Sequence, residues 1–130
     1  MQVAVWDTYV KNNTGAVVHF DIIVPDTLKD AERIYSFGKE YIQSWGALPE
    51  GLSTEQCRFC HIETPLPEML SAIADKGYYI LEMPTIPASL SSTASRQDKI
   101  LYLRGHYAQH RFADFRGVPE ADIDRILLQP

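Results

Sequence analysis

Cysteine is scarce in this sequence, and long apolar runs and the features of a leader are missing. Two cysteines among 130 residues are too few for a disulfide framework. No apolar stretch approaches the roughly 20 residues of a membrane helix. The first residues, 1–7, show neither the basic region nor the apolar core of a secretory signal. We therefore expect a cytoplasmic protein that does not bind membranes and whose thiols are reduced or bound to metal.

Net basic charge is also lacking, since the formal charge is −5. Residues 1–88 carry six Lys and Arg against twelve Asp and Glu, whereas residues 89–130 carry six against five. An acidic surface repels a phosphate backbone, so we expect no nucleic-acid partner. The arginines of residues 89–130 favour contact with an acidic protein surface instead. Residues 96–130 are therefore a predicted contact with a protein partner or with a second copy of the chain.

The sequence contains no glycine-rich phosphate loop, no Gly-x-Ser-x-Gly elbow and no EF-hand loop. No complete catalytic constellation is visible, and no cofactor is predicted from these motifs. The sequence therefore favours a non-catalytic protein that binds a partner or a small ligand.

Apolar periodicity predicts an α+β fold. The expected elements, in chain order, are strands 3–10 and 17–24, a helix from Thr27 to Gly46, a loop over 47–55, a strand over 56–62, a helix from Thr64-Pro65 to Gly77 and a strand over 78–83. This ββαβαβ order predicts a two-layer sandwich with a small mixed four-stranded sheet.

The chain divides by composition into three parts. Residues 1–86 form the predicted α+β domain, and residues 87–95, rich in serine, read as a linker. Residues 96–130 form a mainly helical C-terminal extension, in which 100–103 also fits a strand. His106 and His110 in this extension are spaced for one helix face, and we interpret them as solvated.

Several segments of the first part occur together in one known family. They are Val5–Val10, His19–Asp21, Glu32–Trp45, Cys57–His61 and Gly77–Ile80. In this order they resemble a mainly bacterial domain-of-unknown-function family, the one numbered twenty twenty-four, over residues 1 to about 84. The resemblance implies a small α+β domain and carries no assigned activity.

The run Cys57-x-x-Cys60-His61 is one candidate site, because thiolate and imidazole are the ligands that zinc prefers. It also matches the c-type haem attachment motif, whose chemistry needs an export signal that we do not expect here. If residues 56–62 are extended, Cys57 and Cys60 point to opposite faces of the sheet. A structural role ranks first for this run, with a zinc or thiol-redox protein as the alternative.

His19 and Asp21 are the second candidate site, because they project from the same face of one strand. Asp7 on the preceding strand lies across from them if the hairpin register allows it. Such a cluster is suited to acid–base chemistry or to binding a cation. A hydrogen-bonded pair on a solvated strand face is the competing interpretation.

Overall fold

A computed structural model describes residues 1–44 and 55–130 of the chain. The strands are β1 (Val3–Lys11), β2 (Val17–Pro25), β3 (Cys57–Glu63) and β4 (Tyr79–Glu82). The helices are α1 (Ala31–Gln43), α2 (Pro67–Lys76), α3 (Arg96–His106) and α4 (Glu120–Leu128), with a short 3₁₀ helix at Ala108–His110. None of the helices in these residues is long and apolar enough to cross a membrane. The predicted helix stop at Gly46 and the predicted loop residues 47–54 lie outside the described residues.

The four strands form one antiparallel sheet in the order β3-β1-β2-β4. The α+β class, the ββαβαβ order and the helical C-terminal segment are thus confirmed. The sequence predicted a mixed sheet, and that part of the prediction is wrong, because the sheet is antiparallel. Both helical connections join strands that are not neighbours, since β2 leads to β3 across β1, and β3 leads to β4 at the opposite edge. Neither connection therefore produces a parallel pair.

Helices cover both faces of the sheet, in contrast to the two layers expected. Successive side chains of a strand lie on opposite faces. Val3 and Ile23 lie on one face, where they form a buried cluster with Met69 of α2. Trp6 lies on the other face and contacts the ring of Tyr35 of α1 edge to face. The burial of β1 explains this arrangement. Residues 3–5 are consecutive and all buried, so both faces of the sheet must be covered there.

A β-bulge interrupts the pairing of β3 with β1. Val5 lies opposite His61, whereas Trp6 lies opposite Phe59, so Cys60 is the extra residue on β3. A bulge inserts one extra residue into one strand and changes the alternation beyond it. Residues of β3 on the two sides of Cys60 therefore alternate out of step with each other.

The start of α1 differs from the prediction. Asp30, not Thr27, is the N-cap, and its carboxylate accepts hydrogen bonds from the backbone N–H groups of Glu32 and Arg33. Both residue types are good N-caps. The choice depends on where the chain leaves β2, which the local sequence does not specify.

The start of α2 also differs, whereas its end is as predicted. The helix begins at Pro67 after the N-cap position Leu66, and not at Thr64-Pro65. A proline at the first helical position is favourable at either place, because its missing N–H has no partner there. Gly77 ends the helix with a φ of 94°, the left-handed conformation that glycine adopts without strain.

The chain forms two compact units. The first consists of residues 1–9 and 19–84, and the second of residues 10–18 and 85–130. The second unit has its own buried cluster, made by Ile100, Leu103, Phe115 and Ile123. Residues 100–103 lie within α3, which excludes the strand considered for them. The division at residues 86 and 95 stays a prediction.

Candidate functional site

Asp7, His19 and Asp21 come together on one face of the central hairpin. Asp7 lies on β1 and the other two lie two positions apart on β2, so all three side chains point the same way. The His19 Nε2 atom lies 2.7 Å from the Asp7 Oδ1 atom. One ligand atom from each of the three residues lies within 4.8 Å of the others. The hairpin register, left open by the sequence, is therefore the one that assembles this cluster.

Asp21 is the most buried member of the cluster, with 8% of its surface exposed. It lies opposite Leu81 of β4, an apolar neighbour. Burial and the nearby charge of Asp7 raise the pKa of Asp21 to about 7, against the opposing attraction of His19. A hydrogen bond between the two carboxyl groups adds to this rise, because the protonated form is the donor. The cluster thus holds a carboxyl group that is still partly protonated at neutral pH.

Tyr9 fixes the orientation of the His19 ring. Its ring stacks on the imidazole with a centroid separation of 4.3 Å and an interplanar angle of 8°. Tyr9 is itself buried. Sequence reasoning did not include Tyr9 in the site, although it lies on the same strand face as Asp7, two positions further along. That spacing was the available signal.

The cluster has two chemical capabilities. A proton can be shared among two carboxyl groups and an imidazole, as in acid–base pairs. Alternatively, the same oxygen and nitrogen atoms can ligate a cation. Asp7 and His19 are partly accessible, with side-chain exposures of 22% and 12%, so a small ion can reach them from solvent.

The structure does not bring Cys57, Cys60 and His61 into a comparable group. Among the described residues, Asp7, His19 and Asp21 are the only set of three whose ligand atoms converge in this way. Cys57 is buried, Cys60 is exposed, and no disulfide joins them. Because of the bulge at Cys60, Cys57 lies opposite Thr8 and His61 lies opposite Val5, so these two potential ligands are on opposite faces of the sheet.

Cys57 packs as a core residue against β1. The Thr8 hydroxyl donates a hydrogen bond to its sulfur at 3.2 Å. Burial raises the pKa of the Cys57 thiol to about 11, even though this hydrogen bond favours the thiolate. Because the thiolate is both the metal ligand and the nucleophile, this environment disfavours both chemistries at Cys57.

The remaining histidines make separate contacts. His61 Nε2 lies 2.6 Å from Glu63 Oε1 on the exposed part of β3. His106 ends α3 and its Nε2 lies 2.8 Å from the Pro87 carbonyl oxygen. His110 lies in the following 3₁₀ helix, so it does not share a helix face with His106.

Comparison with known proteins assigns the first part of the chain. Residues 1–83 match the family described as a domain of unknown function, DUF2024. This chain belongs to the DUF2024 family. A solved NMR structure, protein NE1680 from Nitrosomonas europaea, is similar at 41% sequence identity, with a TM-score of 0.55. The match covers 64% of this chain and 95% of that chain. No curated protein matches the chain.

The DUF2024 match has a consequence for the two candidate sites. All six predicted site residues lie within residues 1–83, so both candidates belong to the DUF2024 domain. The C-terminal helices α3 and α4 lie beyond it. Any function of the cluster of Asp7, His19 and Asp21 is therefore a function of the DUF2024 domain.

Proposed function

We propose that this DUF2024 domain is a non-catalytic protein that binds a divalent transition-metal cation, of the zinc type, at Asp7, His19 and Asp21. The observation that carries the proposal is the convergence of their three ligand atoms within 4.8 Å on one strand face. The residues come from the two central strands, which hold them in a defined register.

The donor set favours zinc over the alkaline-earth cations. Imidazole nitrogen suits zinc, copper, iron and nickel, whereas sites for magnesium and calcium are built from oxygen. Zinc accepts one histidine and two carboxylates at about 2.0–2.2 Å, and three protein ligands leave a fourth position open. Closing the cluster onto a cation requires side-chain shifts of about 1 Å from separations of up to 4.8 Å.

A cation would also relieve the electrostatic cost of the cluster. Two carboxyl groups lie near each other at a site where Asp21 is buried. A positive ion between them replaces the shared proton and compensates both negative charges. Tyr9 restricts the imidazole ring, which reduces the conformational entropy lost when the ligand is fixed.

The competing zinc or thiol-redox function at Cys57, Cys60 and His61 lacks comparable support, since Cys57 is buried and holds its proton. Cys57 and Cys60 are not joined by a disulfide, which supports the cytoplasmic location that we propose, because thiols remain reduced there. Residues 96–130 remain our proposed contact with a protein partner.

Isothermal titration calorimetry tests the proposal. Zn²⁺ is added to protein from which a chelator has removed bound metal. We expect one Zn²⁺ per chain for the wild type. His19→Gln should weaken binding by more than roughly 10-fold, the smallest loss typical even of an outer partner of a metal ligand. His106→Gln is the matched control, because it removes an imidazole of α3, which is not among the groups that act on Asp21.

Two results would contradict the proposal. Wild type that binds Zn²⁺ no better than His19→Gln would show that the cluster holds no metal. Equal loss of binding in His61→Gln and Cys60→Ser, with His19→Gln unaffected, would move the site to the cysteine segment.

A further inference from the structure

The edge strand β3 is an exposed surface with an unusual composition. It lies at one end of the sheet order and runs over seven residues. Phe59 and Ile62 on this strand are 51% and 43% exposed, although both are large and apolar. An edge strand can pair with another strand, and exposed apolar side chains favour such contact.

The sequence of β3 is complementary to itself when it is read in the antiparallel direction. One register places Arg58 opposite Glu63 of a second copy, and Phe59 opposite Ile62. Each pair then occurs twice, once on each side of the two-fold axis. Opposite charges and apolar side chains are the cross-strand pairs that stabilise antiparallel strands.

The bulge at Cys60 makes this register geometrically consistent. Two residues that face each other across a symmetric antiparallel pair must lie on the same face of the sheet. In a regular strand, Arg58 and Glu63 lie on opposite faces, because they are an odd number of positions apart. The extra residue at Cys60 reverses the alternation between them. Arg58 and Glu63 therefore share one face, since they lie opposite Asp7 and Val3 of β1.

The apolar pair obeys the same rule on the other face. Phe59 lies opposite Trp6 and Ile62 lies opposite Ala4, and these two β1 residues share a face. Phe59 also contacts the Trp6 ring, with centroids 6.1 Å apart. Both the charged and the apolar pairs are thus satisfied in one register.

We propose that two copies of this chain associate through β3, so that their sheets continue into one eight-stranded antiparallel sheet. Charged residues and bulges on an edge strand usually prevent such pairing. Here they select one register, because pairings centred on Arg58 or on Glu63 place like charges opposite each other. Glu63 has an oxygen to spare, since its contact with His61 uses Oε1. The association does not depend on the proposed cation site.

Light scattering after size exclusion, in the presence of chelator, tests the proposal on the full chain. We expect a mass about twice the 14.8 kDa of the chain at micromolar concentrations and above. Arg58→Glu should lower the mass to that of one chain, and the double variant Arg58→Glu, Glu63→Arg should restore the dimer. Lys11→Glu is the control, because it reverses an exposed charge that is not part of β3.

Wild type that remains monomeric up to millimolar concentration would overturn the proposal. A dimer that Arg58→Glu leaves intact would also overturn it and would point to residues 96–130 as the interface. Circular dichroism of Arg58→Glu checks whether the variant is folded.

A disulfide cross-link gives a second and independent measurement. Opposite residues of antiparallel strands have Cα atoms about 4.5–5.5 Å apart, within the range of a disulfide. Phe59→Cys with Ile62→Cys, in a Cys60→Ser background, should form a covalent dimer on mild oxidation. Either single cysteine variant in that background should cross-link far less, and a double variant that does no better would contradict the register.

Discussion

Replacing Asp21 by asparagine should change how stability depends on pH. In the wild type, burial raises the pKa of Asp21 from 3.8 to about 7. The folded state therefore binds this proton more tightly than the unfolded state does. The resulting stabilisation is fully present below the unfolded pKa and is lost as the pH rises through the folded pKa.

The magnitude follows from the size of this shift. One pKa unit corresponds to about 1.36 kcal/mol, so the full shift is worth about 4 kcal/mol, of which about 3 kcal/mol is lost between roughly pH 4.5 and pH 8. Asp21→Asn removes the titrating group and keeps its size. Its stability relative to wild type should therefore rise by about 3 kcal/mol over that interval, a large share of the 5–15 kcal/mol typical of a domain.

Denaturant unfolding of chelator-treated protein, followed by tryptophan fluorescence, measures this difference. The control is Asp75→Asn, which replaces an exposed aspartate of α2. The control should track the wild type at both pH values. If Asp21→Asn and wild type also change in parallel, Asp21 is ionised in the folded protein throughout and the reasoning from burial is refuted.

Two further predictions concern other parts of the domain. Gly77→Ala should lower the unfolding free energy by about 1 kcal/mol, because alanine is strained at a φ of 94°. Gly77→Asn should lower it by less. Equal losses for the two variants in a denaturant titration would contradict this account. With Ellman's reagent at mildly alkaline pH, one thiol per chain of the Arg58→Glu variant, in which pairing through β3 is abolished, should react promptly, because Cys60 is exposed and Cys57 is buried in the single chain. Cys60→Ser should abolish the rapid phase, and two thiols reacting equally fast would show that Cys57 is accessible.

Features set by local sequence were predictable. Gly77 was recognised as a helix end because a left-handed residue after a helix needs only local information. The strand at β3 and the central hairpin were likewise visible in their β-branched and aromatic residues. The start of α1 was not, because Thr27 and Asp30 are both suitable caps and the exit angle of β2 selects between them.

Features that depend on pairing between distant strands were not predictable. The antiparallel sheet follows from connections that skip neighbouring strands, and no local pattern in the sequence specifies this strand order. The bulge at Cys60 depends on how β3 meets β1, which residues 57–63 do not reveal. For the cluster, Asp7, His19 and Asp21 were recognised as chemically suitable. Their convergence required the hairpin register, and the turn between the strands was too long to specify it.

The central hairpin has a consequence for the order in which the protein folds. The three residues of the cluster and Tyr9 all lie on β1 and β2, which are consecutive in the chain and adjacent in the sheet. Contacts between segments that are close in sequence form with the smallest loss of chain entropy. We therefore expect the cluster to assemble with the first hairpin, before the edge strands join. Sequence changes in β3 and β4 would then alter the assembly and stability of the domain while leaving the ligand set in place.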